Sequence, residues 1–120
     1  MASARVSRRQ AEMLRLAERG MGWVPLTLSP ARSRRESYLW SAERWVLLVR
    51  RGASGEVRAW DPRQDISAAM ELAGKLGGLM LCDYGSQWKA SFGPDAEAYH
   101  RCPAAAIYVA ALRRLGRQRS

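Results

Sequence analysis

Two pairs of short β-forming runs, each closed by a glycine-containing link and each set between helical stretches, limit what this chain can fold into. The first pair is 45–50 (Trp-Val-Leu-Leu-Val-Arg) and 57–60 (Val-Arg-Ala-Trp), joined by Arg51-Gly52-Ala53-Ser54-Gly55-Glu56. β-Branched and aromatic residues on both sides of a glycine-rich link are the pattern of a hairpin. The second pair is 79–83 and 88–92, joined by Tyr84-Gly85-Ser86-Gln87. Alternation sets Leu79, Leu81 and Asp83 on one face and Met80 and Cys82 on the other, while Trp88, Ala90 and Phe92 share a face of the partner strand. A further short strand is expected at 99–101.

Three helices surround these pairs. The first, 7–19, starts at Ser7, whose hydroxyl can cap it; Met13, Leu16 and Ala17 share a face, and Gly20 stops it. Trp23, following Gly-Met-Gly, is expected to fold back onto this helix. The second is capped by Asp65, places Ile66, Ala69, Met70, Ala73 and Leu76 on one face, and ends at Gly77-Gly78. The third opens at Pro103 and reaches about Leu115; its alanines permit close approach to another layer, and Arg113, Arg114, Arg117 and Arg119 suit the negative end of the helix dipole. The expected fold class is therefore α+β: a small antiparallel β-sheet of two hairpins layered with three helices, in the order α-ββ-α-ββ-α. At 120 residues the chain has room for one core, a single domain over 1–120. Residues 26–44, with Pro30 and the run Ala31-Arg32-Ser33-Arg34-Arg35-Glu36, read as a basic loop insertion.

The spacing of these words resembles the phage ABA-sandwich domain family, small phage and prophage proteins. The matching stretches are 61–76 (DPRQDISAAMELAGKL), 87–93 (QWKASFG) and 102–112 (CPAAAIYVAAL). The opening stretch 11–23 (AEMLRLAERGMGW) resembles the family's first helix and its Met-Gly-Trp turn. The resemblance implies an α/β/α layered fold and a phage or prophage origin, and it brings no catalytic residues with it.

Charge narrows the partner. The formal net charge is +9, and among 20 basic residues only Lys75 and Lys89 are lysines. Arginine-rich, alanine-rich composition follows from high-GC coding; selection for an anionic partner gives the same excess, because a positive field concentrates anions at the surface. Both readings stay open. No run of 18 apolar residues occurs, so no membrane association is expected. The first ten residues lack the apolar core of an export signal, and Cys82 and Cys102 are expected as reduced thiols in a host cytoplasm.

Catalytic groupings are poorly supplied. Cys82, Asp83, His100 and Cys102 are the only residues worth grouping around a metal, and His100-x-Cys102 is too close for a zinc pair. A thiol–imidazole pair would have to use His100, the only histidine, with Cys82 or Cys102 and with Asp83 or Asp95 as the orienting carboxylate. No nucleophile elbow, phosphate loop or metalloprotease string accompanies them. No catalytic residue, metal site or cofactor is therefore assigned.

What remains is arginine beside aromatic residues. Arg32, Arg34 and Arg35 precede Tyr38 and Trp40, and Arg50, Arg51 and Arg58 flank the first hairpin. Guanidinium forks bind phosphate and aromatic faces stack bases. Trp45 and Trp60 are expected in the core. The expected function is that of a non-enzymatic phage-encoded accessory binding protein, an antagonist of a host defence system, anti-CRISPR-like or sequestering a nucleotide signal. The alternative is a nucleic-acid-binding module of phage or prophage origin. The partner would be a host protein or an anionic ligand (nucleotide, DNA or RNA), and the edge of the first hairpin is open to pairing with a second copy as a homodimer.

Overall fold

The structure is a computed structural model and describes residues 7–26, 36–51 and 56–117. Helix α1 (Arg8–Arg15) starts where Ser7 Oγ accepts the Gln10 N–H at 3.1 Å. It widens into a π-turn at Leu16–Gly20, closed by Met21 N–H donating to the Leu16 carbonyl at 2.9 Å. The chain then folds back as expected: Met21 and Trp23 are buried, and Trp23 meets Trp60 edge-to-face with ring centroids 4.8 Å apart.

Strands β1 (Val24–Pro25), β2 (Glu36–Ser41), β3 (Val46–Arg51) and β4 (Val57–Trp60) form a four-stranded sheet in that order. β1 pairs with β2 in parallel, and the other pairings are antiparallel. The basic insertion expected at 26–44 is thus partly strand. Residues 36–41 alternate Tyr38 and Trp40 with Ser37 and Leu39, and Tyr38 is buried. The hairpin expected at the sheet edge is internal on one side, because β3 lies between β2 and β4; only β4 and β1 are edges. Trp45 is also not the first strand residue. It sits in the β2–β3 turn with φ 57° and half its surface exposed, and its N–H donates to the Ser41 carbonyl at 2.8 Å. Trp60, by contrast, is fully buried.

Helix α2 (Ile66–Leu76) is capped by Asp65, whose Oδ1 accepts the Ser67 N–H at 3.0 Å. Its buried face is Ala68, Ala69, Leu72 and Ala73, whereas Ile66 and Met70 are exposed. The face is rotated from the expected one because α2 packs against the alanine-rich α3 (Pro103–Arg117). Small residues on both sides let the two backbones approach, and a larger side chain on that line would hold them apart.

Strands β5 (Met80–Asp83), β6 (Trp88–Ser91) and β7 (Glu97–His100) form a second, antiparallel sheet. The strand expected at 99–101 lies at 97–100. Ala90 and Ala98, paired in register, are buried against α3. Each expected hairpin has thus gained neighbours and become a separate sheet. α3 joins the two halves of the core. Tyr108, Ala111 and Leu115 belong to the cluster with Trp23, Leu47 and Trp60; Ala104, Ala106, Ile107 and Ala110 belong to the cluster under the second sheet. A helix buried on most of its circumference has to be apolar nearly all round, and 103–112 is. No helix among the described residues is long and apolar enough to cross a membrane.

Candidate anion-binding groove

The sheet arginines singled out in the sequence do not form one cluster. Paired residues on neighbouring strands share a face, so Arg58, opposite Val49, and Arg50, opposite Val57, lie on opposite faces of the first sheet. Arg58 is occupied. Its guanidinium donates to both Glu71 oxygens at 3.0 and 2.8 Å and to Glu36 at 3.3 Å, and it lies 5.7 Å from the Trp23 ring centroid. The bond to Glu71 raises its pKa above the ordinary arginine value. Tyr38 is a core residue, not a stacking surface. It is 6% exposed, its hydroxyl donates to the Glu18 carboxylate, and burial followed by that bond pushes its pKa up. Trp40 is half-buried and edge-on to Trp45 at 6.0 Å. Arg50 is half-buried, with Nε enclosed and without a hydrogen-bond partner among the described residues. Arg51 lies in β3, at the backbone position opposite Glu36 in the β2–β3 register. Arg32, Arg34 and Arg35 lie outside the described residues.

The second sheet separates Cys82 from His100 in the thiol–imidazole scheme, while Asp83 shares the His100 row and Cys102 lies two residues beyond His100. Cys82 pairs with Lys89 and Tyr99 along one row, while His100 pairs with Trp88 and Asp83 in the next, on the other face. His100 Nδ1 accepts the Cys102 N–H at 3.0 Å. Among the described residues no three of His, Cys, Asp and Glu are placed to hold a metal ion.

Cations do converge elsewhere. A groove of about 580 Å³ runs between α1 and α3, lined by Arg8, Arg9, Glu12, Arg63, His100, Ala105, Tyr108, Val109, Leu112 and Arg113. Four arginines and one carboxylate line it, and the Asp61 carboxylate lies 3.3 Å from Arg9, which leaves a local surplus of two positive charges. Glu12 is already engaged: it accepts from the Tyr108 hydroxyl at 2.8 Å and pairs with Arg8 at 3.4 Å. Burial, then the bond to Glu12, pushes the Tyr108 pKa up. Arg9 is more constrained. Its side chain is 23% exposed, it pairs with Asp61 at 3.3 Å, and its Nε is enclosed with no partner among the described residues. Arg63 is exposed at the turn before α2 and makes no ion pair among the described residues. Arg113 donates to the Glu97 carbonyl.

The placement of Arg8 and Arg9 runs against helix stability. The first turn of α1 holds these two arginines and no acid. The positive end of a helix dipole disfavours each exposed cation by about 0.3–1 kcal/mol. Ion pairs offset part of this cost: Arg8, 93% exposed on its side chain, pairs with Glu12 at 3.4 Å, and Arg9 pairs with Asp61 at 3.3 Å. In the sequence the signal of the groove was the Arg-Arg pair directly after the Ser7 cap; the partners Arg63 and Arg113 are brought to it only by the fold.

No family model, no curated protein and no solved structure matches this chain.

Proposed function

We propose that this protein acts by attachment, without catalysis, and that the α1–α3 groove is where it holds a phosphate-bearing ligand. One observation carries the reading: a ligand-sized groove lined by four arginines, where cations outnumber carboxylates even with Glu12 and Asp61 counted and Arg63 makes no ion pair among the described residues. Its volume falls in the usual range for small-molecule sites, and guanidinium forks match phosphate oxygens. The resemblance to phage ABA-sandwich domains supports a phage or prophage setting. In its concrete form the protein is a phage-encoded accessory factor in the host cytoplasm that sequesters a nucleotide signal or occupies a host defence component.

A melting-temperature screen over linear and cyclic nucleotides at low ionic strength tests this. A ligand at 100 times its Kd stabilises the folded state by about 2.7 kcal/mol, several degrees in Tm. A screen in which no nucleotide moves Tm removes the proposal.

A second reading, single-stranded nucleic-acid binding, draws on the open face of the β5–β7 sheet. Tyr84 and Tyr99 are exposed there with ring centroids 6.3 Å apart, and Lys89 Nζ lies 5.8 Å from the Tyr99 centroid. Exposed aromatic rings stack bases. Lys89 is tied to Glu97 at 3.4 Å, however, so the electrostatic balance favours the groove. Oligonucleotide binding whose log affinity falls by about 0.7 per phosphate neutralised for each decade of salt is the mark of this alternative.

A further inference from the structure

The groove is not uniformly polar, and its asymmetry specifies more than charge. Ala105, Val109 and Leu112 stand at i, i+4 and i+7 of α3, a single helical line about 10 Å long at 1.5 Å per residue. Val109 and Leu112 are only partly buried, so their outer surfaces face the groove. Arg8 and Arg9 come from the start of α1, and Arg63 from the turn before α2. The aliphatic surface thus comes from α3, which also contributes Tyr108 and Arg113, while Arg8, Arg9 and Arg63 come from the facing segments, with Glu12 among them. Inorganic phosphate would leave the aliphatic surface wet, whereas a ligand with an apolar body beside its anion would cover it, gaining the area-dependent stabilisation that drives burial.

We infer that the groove takes a phosphate monoester with an apolar body: the phosphate against Arg9 and Arg63, the ester substituent along Ala105, Val109 and Leu112. This rests on the anion-binding reading and narrows it. Two sources share the chemistry, a nucleoside, whose base presents a flat apolar face, and an alkyl chain.

Isothermal titration of the wild-type chain with inorganic phosphate, hexyl phosphate and AMP separates the possibilities without any variant. The expected result is that at least one ester binds tenfold or more tighter than inorganic phosphate. For the alkyl ester the gain is about fourfold per methylene buried. AMP binding without hexyl phosphate assigns a planar body, and the converse assigns a chain; each supports the inference. Equal affinity for all three overturns the inference and leaves the anion reading standing. Binding of none of the three overturns both. Two variants add a positional check. Arg63→Ala is expected to weaken all three ligands about tenfold, since a charge-assisted hydrogen bond is lost. Leu112→Asn is expected to weaken the esters while leaving inorganic phosphate unchanged. A Leu112→Asn protein that folds and binds the esters as the wild type does places their body elsewhere and overturns the inference.

Discussion

Glu12 and Glu18 bind the two phenols that sit deepest in the protein, and this sets an alkaline limit on stability. Tyr108 and Tyr38 both donate to carboxylates and are both held well above the ordinary tyrosine pKa of about 10, burial being the larger cause in each. A group whose folded pKa is raised contributes stability that is complete below its unfolded pKa and is lost as pH rises through the folded value. The share of stability due to these two groups is therefore expected to be complete up to about pH 10 and to be lost as pH rises above it. Absorbance titration at alkaline pH should show these two phenolates appearing together with unfolding; smooth ionisation in a folded protein contradicts it. Tyr108→Phe removes the pH-dependent share due to that residue. Arg58 makes the opposite case among the cations. Held by Glu71 and Glu36 and 43% exposed on its side chain, it is a structural tie, so Arg58→Ala is expected to destabilise by about 1 kcal/mol after solvent screening. Ligand affinity at the groove should stay unchanged, which titration of the variant checks.

At the scale of elements, the π-turn after α1 comes close to α2 at Gly20. A Cβ placed on Gly20 would lie 2.8 Å from Leu72 Cδ1, and Leu72 is fully buried. Gly20→Ala must displace that side chain, and denaturant unfolding should show a loss of about 1–3 kcal/mol, as overpacked cores do; a neutral result would mean that the turn shifts freely. The elements easiest to read in the sequence were those specified by neighbouring residues. The Ser7 and Asp65 caps and the Tyr84–Gln87 turn each involve residues within a few positions. Strand β2 was hidden because its six alternating residues follow a proline- and arginine-rich run that reads as loop. Strand β1 is two residues long and exists only through parallel pairing with β2. The buried face of α2 was misjudged because hydrophobicity alone selects Ile66 and Met70, while the close contact with α3 selects alanine.

At the scale of the whole molecule, α3 is the spine on which two separate sheets are assembled, and the groove is a consequence of that assembly. Tyr108 and Glu12, which share a hydrogen bond there, are 96 residues apart in sequence. No local window of sequence contains the site. Only the Arg8-Arg9 pair at the wrong end of the helix dipole signalled it, and an arginine-rich chain gives many competing pairs. The sheet arginines are close in sequence to aromatic residues, but the fold turns Arg50 and Arg58 to opposite faces and buries Tyr38. The central claim is that a phosphate ligand is held by the groove and not by the sheet. Following the arginine Nε–H resonances of isotopically labelled protein during an AMP titration tests it most directly. The resonances of Arg8, Arg9, Arg63 and Arg113 are expected to move in a saturable way while those of Arg50 and Arg58 stay still; movement of Arg50 and Arg58 with the groove arginines unmoved contradicts it.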